Sequence, residues 1–131
     1  EVSFNRLQAF DVDVAKWTKL VRLVLMYNTI KRYNEKAVWT HPNLDSLVLN
    51  DNIGLEMPGS AITMEMQSLQ YFGYQNNSVE INTKFDHSKV PNLRFFYLSG
   101  NTIKLKVSLR EATLFDQKGE RVEGFTSVQD N

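Results

Sequence analysis

The sequence predicts an α+β fold, one long amphipathic helix packed on a mostly antiparallel sheet of about five to six strands. Three observations predict it. Apolar residues recur at helical spacing between Asp13 and Asn34. Apolar and basic residues alternate cleanly from Ile103 to Arg110. Turn-forming clusters separate the apolar runs between them.

The chain enters on an imperfect alternation, Val2, Phe4, Gln8 and Phe10 against Ser3, Asn5, Leu7 and Ala9, which suits a strand. Asp11 or Asp13 then suits a helix N-cap, because a carboxylate accepts from the free amides of a first turn. From about Asp13 to Asn34, Val14, Trp17, Val21 and Val24 form one stripe, with Leu20, Leu23, Tyr27 and Ile30 beside it. Together they make a broad apolar helix face. Lys31, Arg32 and Lys36 complement the negative end of its dipole. Residues Ala37 to Ser60 are less regular, with turn signals at His41-Pro42-Asn43 and Met57-Pro58-Gly59-Ser60. Between these turns, Leu44, Leu47, Val48 and Leu49 form a short apolar segment that either caps the core or presents a protein-contact loop.

The remainder reads as strands. Ile62, Met64 and Met66 alternate with polar neighbours, and a parity change near Ser68 suggests a bulge before Tyr71 and Phe72. A turn at Gln75-Asn76-Asn77-Ser78 leads to the alternating run Val79, Ile81, Thr83 and Phe85. Leu93 to Leu98 is strongly apolar, and Ser99-Gly100-Asn101 suits a hairpin turn. Ile103, Leu105, Val107 and Leu109 then face away from Lys104, Lys106, Ser108 and Arg110. After the Asp116-Gln117-Lys118-Gly119 turn, Val122 and Phe125 suit a short edge strand. The sequence reads as a single domain over residues 1–131, with no internal repeat.

Composition narrows the function classes. The chain has no cysteine, which excludes disulfides and thiolate metal sites and favours a reducing compartment, cytoplasmic or virion-associated. It begins at Glu1 rather than Met, as a processed chain or a fragment would. Its longest apolar stretch, Leu20 to Tyr27, is interrupted by Arg22 and falls far short of the roughly 20 residues of a membrane span. Asn76-Asn77-Ser78 is a glycosylation triplet in a turn.

The net charge is zero, yet the charge is segregated. Residues 13–36 carry six basic and two acidic side chains, residues 37–83 carry five acids and no base, and residues 84–110 carry six bases against Asp86. A bipolar surface suits self-association or an anionic polymer. It is equally explained if the acidic middle packs beside the basic segments.

No catalytic constellation emerges. His41 and His87 lack metal-ligand spacing. Asp86-His87-Ser88 has the letters of a triad, but sequence neighbours cannot converge as a triad must. There is no phosphate-cradling glycine loop and no nucleophile elbow. No cofactor is implied.

The order of elements resembles that of rhabdovirus matrix proteins, with a strand, a helical segment, an irregular connection and a run of antiparallel strands. The segment Tyr97-Leu98-Ser99-Gly100-Asn101-Thr102-Ile103-Lys104-Leu105-Lys106-Val107 is similar to their aromatic-then-glycine turn entering a Thr-Ile strand. The resemblance implies a structural protein that self-associates, touches anionic membrane and condenses nucleocapsids. The family's lysine-rich amino-terminal tail and proline-tyrosine budding motif are absent from this sequence, which puts membrane attachment in doubt. No site residue is carried over from the family.

The functional expectation is a non-enzymatic assembly module that self-associates and binds an anionic partner. Lys104, Lys106, Arg110, Lys84 and Arg94 are the candidates for that partner, whether an anionic membrane surface, a nucleocapsid or nucleic acid. Leu44, Leu47, Val48 and Leu49 are the candidates for contact with other proteins or a second copy. The alternatives are a nucleic-acid-binding domain using the same basic face with Tyr97, and a small ligand-binding or enzymatic domain with a pocket between helix and sheet.

Overall fold

The computed structural model describes residues 6–57, 64–81, 85–86, 88–103, 107–108 and 113–115. The strands are β1 (Ala9–Phe10), β2 (Arg22–Val24), β3 (Arg32–Tyr33), β4 (Ser46–Val48), β5 (Tyr71–Gly73), β6 (Glu80–Ile81), β7 (Phe85–Asp86), β8 (Phe95–Tyr97), β9 (Thr102–Ile103), β10 (Val107–Ser108) and β11 (Thr113–Phe115). A single turn of 3-10 helix spans Val14–Lys16, and one short helix, α1, spans Glu35–Trp39. The main sheet has five strands in the order β11-β8-β5-β4-β2, all parallel. Three two-stranded parallel ladders, β1 with β3, β6 with β9 and β7 with β10, complete the pairing among the described residues.

Parallel neighbours cannot be joined by a tight turn, so the chain must travel away and return between them. Over β2, β4, β5 and β8 it returns at a nearly fixed interval, and the last step, from Phe96 on β8 to Leu114 on β11, is shorter at 18 residues. Leu23 pairs with Leu47, Leu47 with Phe72 and Phe72 with Phe96, at steps of 24, 25 and 24 residues. The architecture is a solenoid in which each coil stacks on the one before.

The same interval is written in the side chains. Leu20, Leu23, Leu25, Asn28 and Ile30 are echoed by Leu44, Leu47, Leu49, Asn52 and Leu55. They are echoed again by Leu69, Phe72, Tyr74, Asn77 and Val79, and by Leu93, Phe96, Leu98, Asn101 and Ile103. This is the pattern by which leucine-rich solenoids stack, an apolar strand followed by a corner asparagine. Leu23, Leu25, Leu47, Leu49, Phe72, Tyr74, Phe96 and Leu98 point inward and are buried. Each contributes about 1.5–3 kcal/mol of apolar burial. Trp39 on α1 meets Phe72 edge to face at 5.4 Å, and its indole N–H donates to the Tyr33 hydroxyl at 2.5 Å.

The corners are held by amides. Asn52 Nδ2 donates to the carbonyls of Leu25 at 2.8 Å and Leu49 at 3.1 Å, while its Oδ1 accepts from Ile30 N–H at 3.3 Å. Asn77 Nδ2 donates to Leu49 O at 3.1 Å, and Asn101 Nδ2 to Tyr74 O at 2.7 Å. Each asparagine thus ties its own coil to the previous one and satisfies backbone groups that a sharp corner leaves without a ladder partner. At the other end of each strand a second set repeats the device. Asn43 Nδ2 donates to Thr18 O, Ser68 Oγ to Pro42 O and Asn92 Nδ2 to Gln67 O.

The corner also bends the backbone the same way each time. Tyr27, Asp51, Asn76 and Gly100 all have positive φ, between 54° and 74°. Gly100 is the tightest of these, since an added Cβ would lie 2.8 Å from Asn76 Cα and 2.9 Å from Asn76 N.

The expected α+β architecture is therefore corrected to a mostly-β one. No long helix spans Asp13 to Asn34. That segment holds the 3-10 turn, β2 and β3. Asp13 does cap, accepting from Ala15 N–H at 3.1 Å, but it caps only the 3-10 turn. The supposed apolar face is split, because Val14 and Val24 are buried whereas Trp17 and Val21 are 48% and 53% exposed. The three-residue spacing of Leu20 and Leu23 and the two-residue spacing of Leu23 and Leu25 belong to a coil entering and running along a strand. The expected antiparallel sheet is corrected to parallel pairing throughout the described residues. Ser99-Gly100-Asn101 is a solenoid corner rather than a hairpin turn, because β9 pairs with β6 of the preceding coil. The absence of an internal repeat is likewise overturned. The run of antiparallel strands that the matrix-protein resemblance implied is not among the described elements.

Candidate binding face

Side chains alternate along each strand, so every inward residue has outward neighbours. On the main sheet these are Arg22 and Val24, Ser46 and Val48, Tyr71 and Gly73, and Phe95 and Tyr97. A solvated sheet face ordinarily carries polar residues in these places. Here most of the outward positions are apolar or aromatic.

Three aromatic rings cluster on β5 and β8. Tyr71 lies 5.0 Å from Tyr97 and 6.3 Å from Phe95 between ring centroids. Phe95 is 43% exposed. Partial burial, then the neighbouring Tyr97, push the Tyr71 phenol above its ordinary pKa, and Arg22 opposes the shift. Towards β2 the face sinks into a depression of about 290 Å³. Val24, Met26, Val48 and Tyr71 supply its apolar lining, and Arg22, Ser46 and Asn50 its polar groups. Val24 and Val48 are buried yet stand apart from the inner core cluster. Gly73 leaves the neighbouring position without a side chain, where a Cβ would press on Asn50 Oδ1 at 3.0 Å and Val48 Cγ1 at 3.2 Å.

One margin of the face is held by a polar row at the strand ends. Asn50 Oδ1 accepts from Gln75 N–H at 2.7 Å, Asn50 Nδ2 donates to Gln75 Oε1 at 3.3 Å, and Gln75 Nε2 donates to Ser99 Oγ at 2.8 Å. These amides bond to one another across three coils and so fix the margin. Arg22 is different. It is exposed, and among the described residues no ion pair or side-chain hydrogen bond holds its guanidinium.

The residues singled out in the sequence fall elsewhere. Lys84, Lys104, Lys106 and Arg110 lie outside the described residues. Arg94 is described and exposed beside β8. Leu44, Leu47 and Leu49 are 0–1% exposed and lie in the core. They form no surface contact loop, because β4 carries Leu47 between coils. Of that group only Val48 reaches the outward face. Tyr97 does sit there, half-buried against Tyr71.

His41 is buried with both ring nitrogens engaged. Nδ1 accepts from Asn43 N–H at 3.2 Å, which leaves the ring proton on Nε2 to donate to Trp17 O at 3.2 Å. His87 lies outside the described residues. Among the described residues no group of His, Asp or Glu is placed to hold a metal ion, and no helix is long and apolar enough to cross a membrane.

Arg22, Val24, Tyr71 and Phe95 are the residues of this candidate face that sequence reasoning did not single out. The signal was the coil interval. Once Leu23, Leu47, Phe72 and Phe96 are aligned, the residue on either side of each is outward by parity. Comparison with known proteins finds no matching family model, no matching curated protein and no matching solved structure, so it is the geometry of this face that carries the functional argument.

Proposed function

We propose that the chain is a non-enzymatic binding module that takes another polypeptide on the outward face of its main sheet. One observation supports this reading above the others. The fold needs only the inward parity of each strand, yet the outward parity carries Val24, Val48, Tyr71, Phe95 and Tyr97 beside an Arg22 that no described residue pairs. All-parallel sheets are ordinarily covered on both faces, and on this one Phe95 is left 43% exposed. Tyrosine and arginine are also the side chains that most often anchor protein interfaces, since they bring large contact area and directional polar groups together.

The test is to pan a displayed library of random dodecapeptides against the immobilised chain and against the double variant Tyr71→Ser, Phe95→Ser. Wild type is expected to enrich a family of related peptides, and the variant to lose them while keeping its circular dichroism spectrum. Enriched peptides that bind the folded variant equally well, or no enrichment above an unrelated scaffold, would overturn the proposal.

A further inference from the structure

We infer that the face selects an extended peptide with an acidic residue at position i, an aliphatic residue at i+2 and an aromatic residue at i+4, the acid seated on Arg22. This rests on the binding role proposed above and specifies its ligand. The argument is one of charge and spacing.

Arg22 sits on β2, at one end of the described part of the face, and no acid among the described residues is paired to it. Arg22 lines one edge of the depression, with Val24 on β2, Val48 on β4 and Tyr71 on β5. The rings of Tyr71, Tyr97 and Phe95 stand at the far side on β5 and β8. Neighbouring strands are about 4.8 Å apart, so the depression, lined from β2 to β5, spans about 0–10 Å and the β8 rings lie about 14 Å from β2. An extended peptide crossing the strands advances about 3.3 Å per residue and turns alternate side chains to one face. Its residues i, i+2 and i+4 therefore fall at about 0, 7 and 13 Å. These are the positions of the cation, the apolar depression and the rings.

The polar row of Asn50, Gln75 and Ser99 bounds one side of this path. Its amides are already bonded to one another, so it offers a fixed margin rather than a competing charge.

The test uses fluorescence polarisation with synthetic decapeptides that share Leu at i+2 and Tyr at i+4 and carry Asp, Asn or Lys at i. At low salt the Asp peptide is expected to bind at least tenfold more tightly than the Asn peptide. Arg22→Ala should erase that difference, and Arg22→Glu should turn the preference towards Lys. Moving Asp to i+1 should weaken binding to the Asn level. If the Asp and Asn peptides bind alike while Tyr71→Ser still abolishes both, the inference falls and the binding role stands. If none of the three binds, the inference falls, and the peptide library alone decides the wider role.

Discussion

The backbone N–H of Asn52 donates to the Oδ1 of Asn77 at 2.6 Å, so the corner of one coil is held by the side chain of the next. Both residues are completely buried, and both also donate through Nδ2 to the carbonyl of Leu49. The coils are therefore coupled through amides as well as through apolar stacking.

Removing one of these amides should be costly. Asn52→Ala leaves the Leu25 carbonyl and the Ile30 N–H without the partner that Asn52 supplies. Each buried group left unpaired costs about 1–3 kcal/mol. A loss of about 3 kcal/mol or more is expected from urea unfolding. A loss below about 1 kcal/mol would mean that the ladder is incidental to stability.

Two glycines with positive φ should respond differently to alanine. Gly100 faces the Asn76 backbone, which cannot move without shifting the neighbouring corner, whereas Gly54 faces the end of the Lys31 side chain. Both substitutions incur about 1–2 kcal/mol for a left-handed alanine. Gly100→Ala should add a steric cost that Gly54→Ala avoids, because an exposed lysine can swing away. Parallel thermal denaturation of the two variants checks the order, which is Gly100→Ala less stable than Gly54→Ala.

Alkaline unfolding should be led by two tyrosines. Burial pushes the phenols of Tyr33 and Tyr74 well above the ordinary value of about 10. The folded chain keeps protons that the unfolded chain releases, so this stability is complete below about pH 10 and is lost as pH rises beyond it. Tyrosinate absorbance should show these two of the five tyrosines ionising together with loss of the circular dichroism signal. Ionisation of all five before that signal changes would contradict their burial. Tyr74 also donates to Leu55 O at 2.6 Å, so Tyr74→Phe removes a buried bond as well as a titrating group and should lower stability at neutral pH.

The two tryptophans give a direct optical check on the fold. Trp39 is fully buried and Trp17 is 48% exposed. Iodide should quench one emission component and leave the other nearly untouched, and Trp17→Phe should remove the quenchable one. Equal protection of both would restore a packed apolar face through Trp17, as the helical reading required.

Some of the structure was legible in the residues. Gln75-Asn76-Asn77-Ser78 and Ser99-Gly100-Asn101 do turn the chain, as their residues suggest. The helical reading of residues 13–34 went astray because the coil places Leu20, Leu23 and Ile30 inward across a bend, and their three- and seven-residue intervals coincide with those of a helix. Exposed Trp17, Val21 and Tyr27 completed the apparent stripe by chance. The binding face was hidden for a related reason. Arg22, Val48, Tyr71 and Tyr97 are far apart in sequence, and only coil stacking brings them onto one surface.

The sequence by itself determined the coil interval, through leucines and asparagines recurring every 24 or 25 residues, and with it which parity of each strand is buried. The tertiary structure decided that the strands run parallel, that the asparagines bond between coils and that an arginine and three aromatic rings share an open face. The physical reason is that local sequence sets where a side chain points relative to its own strand. Which strand lies alongside, and in which direction, is set by the chain closing each coil against the last.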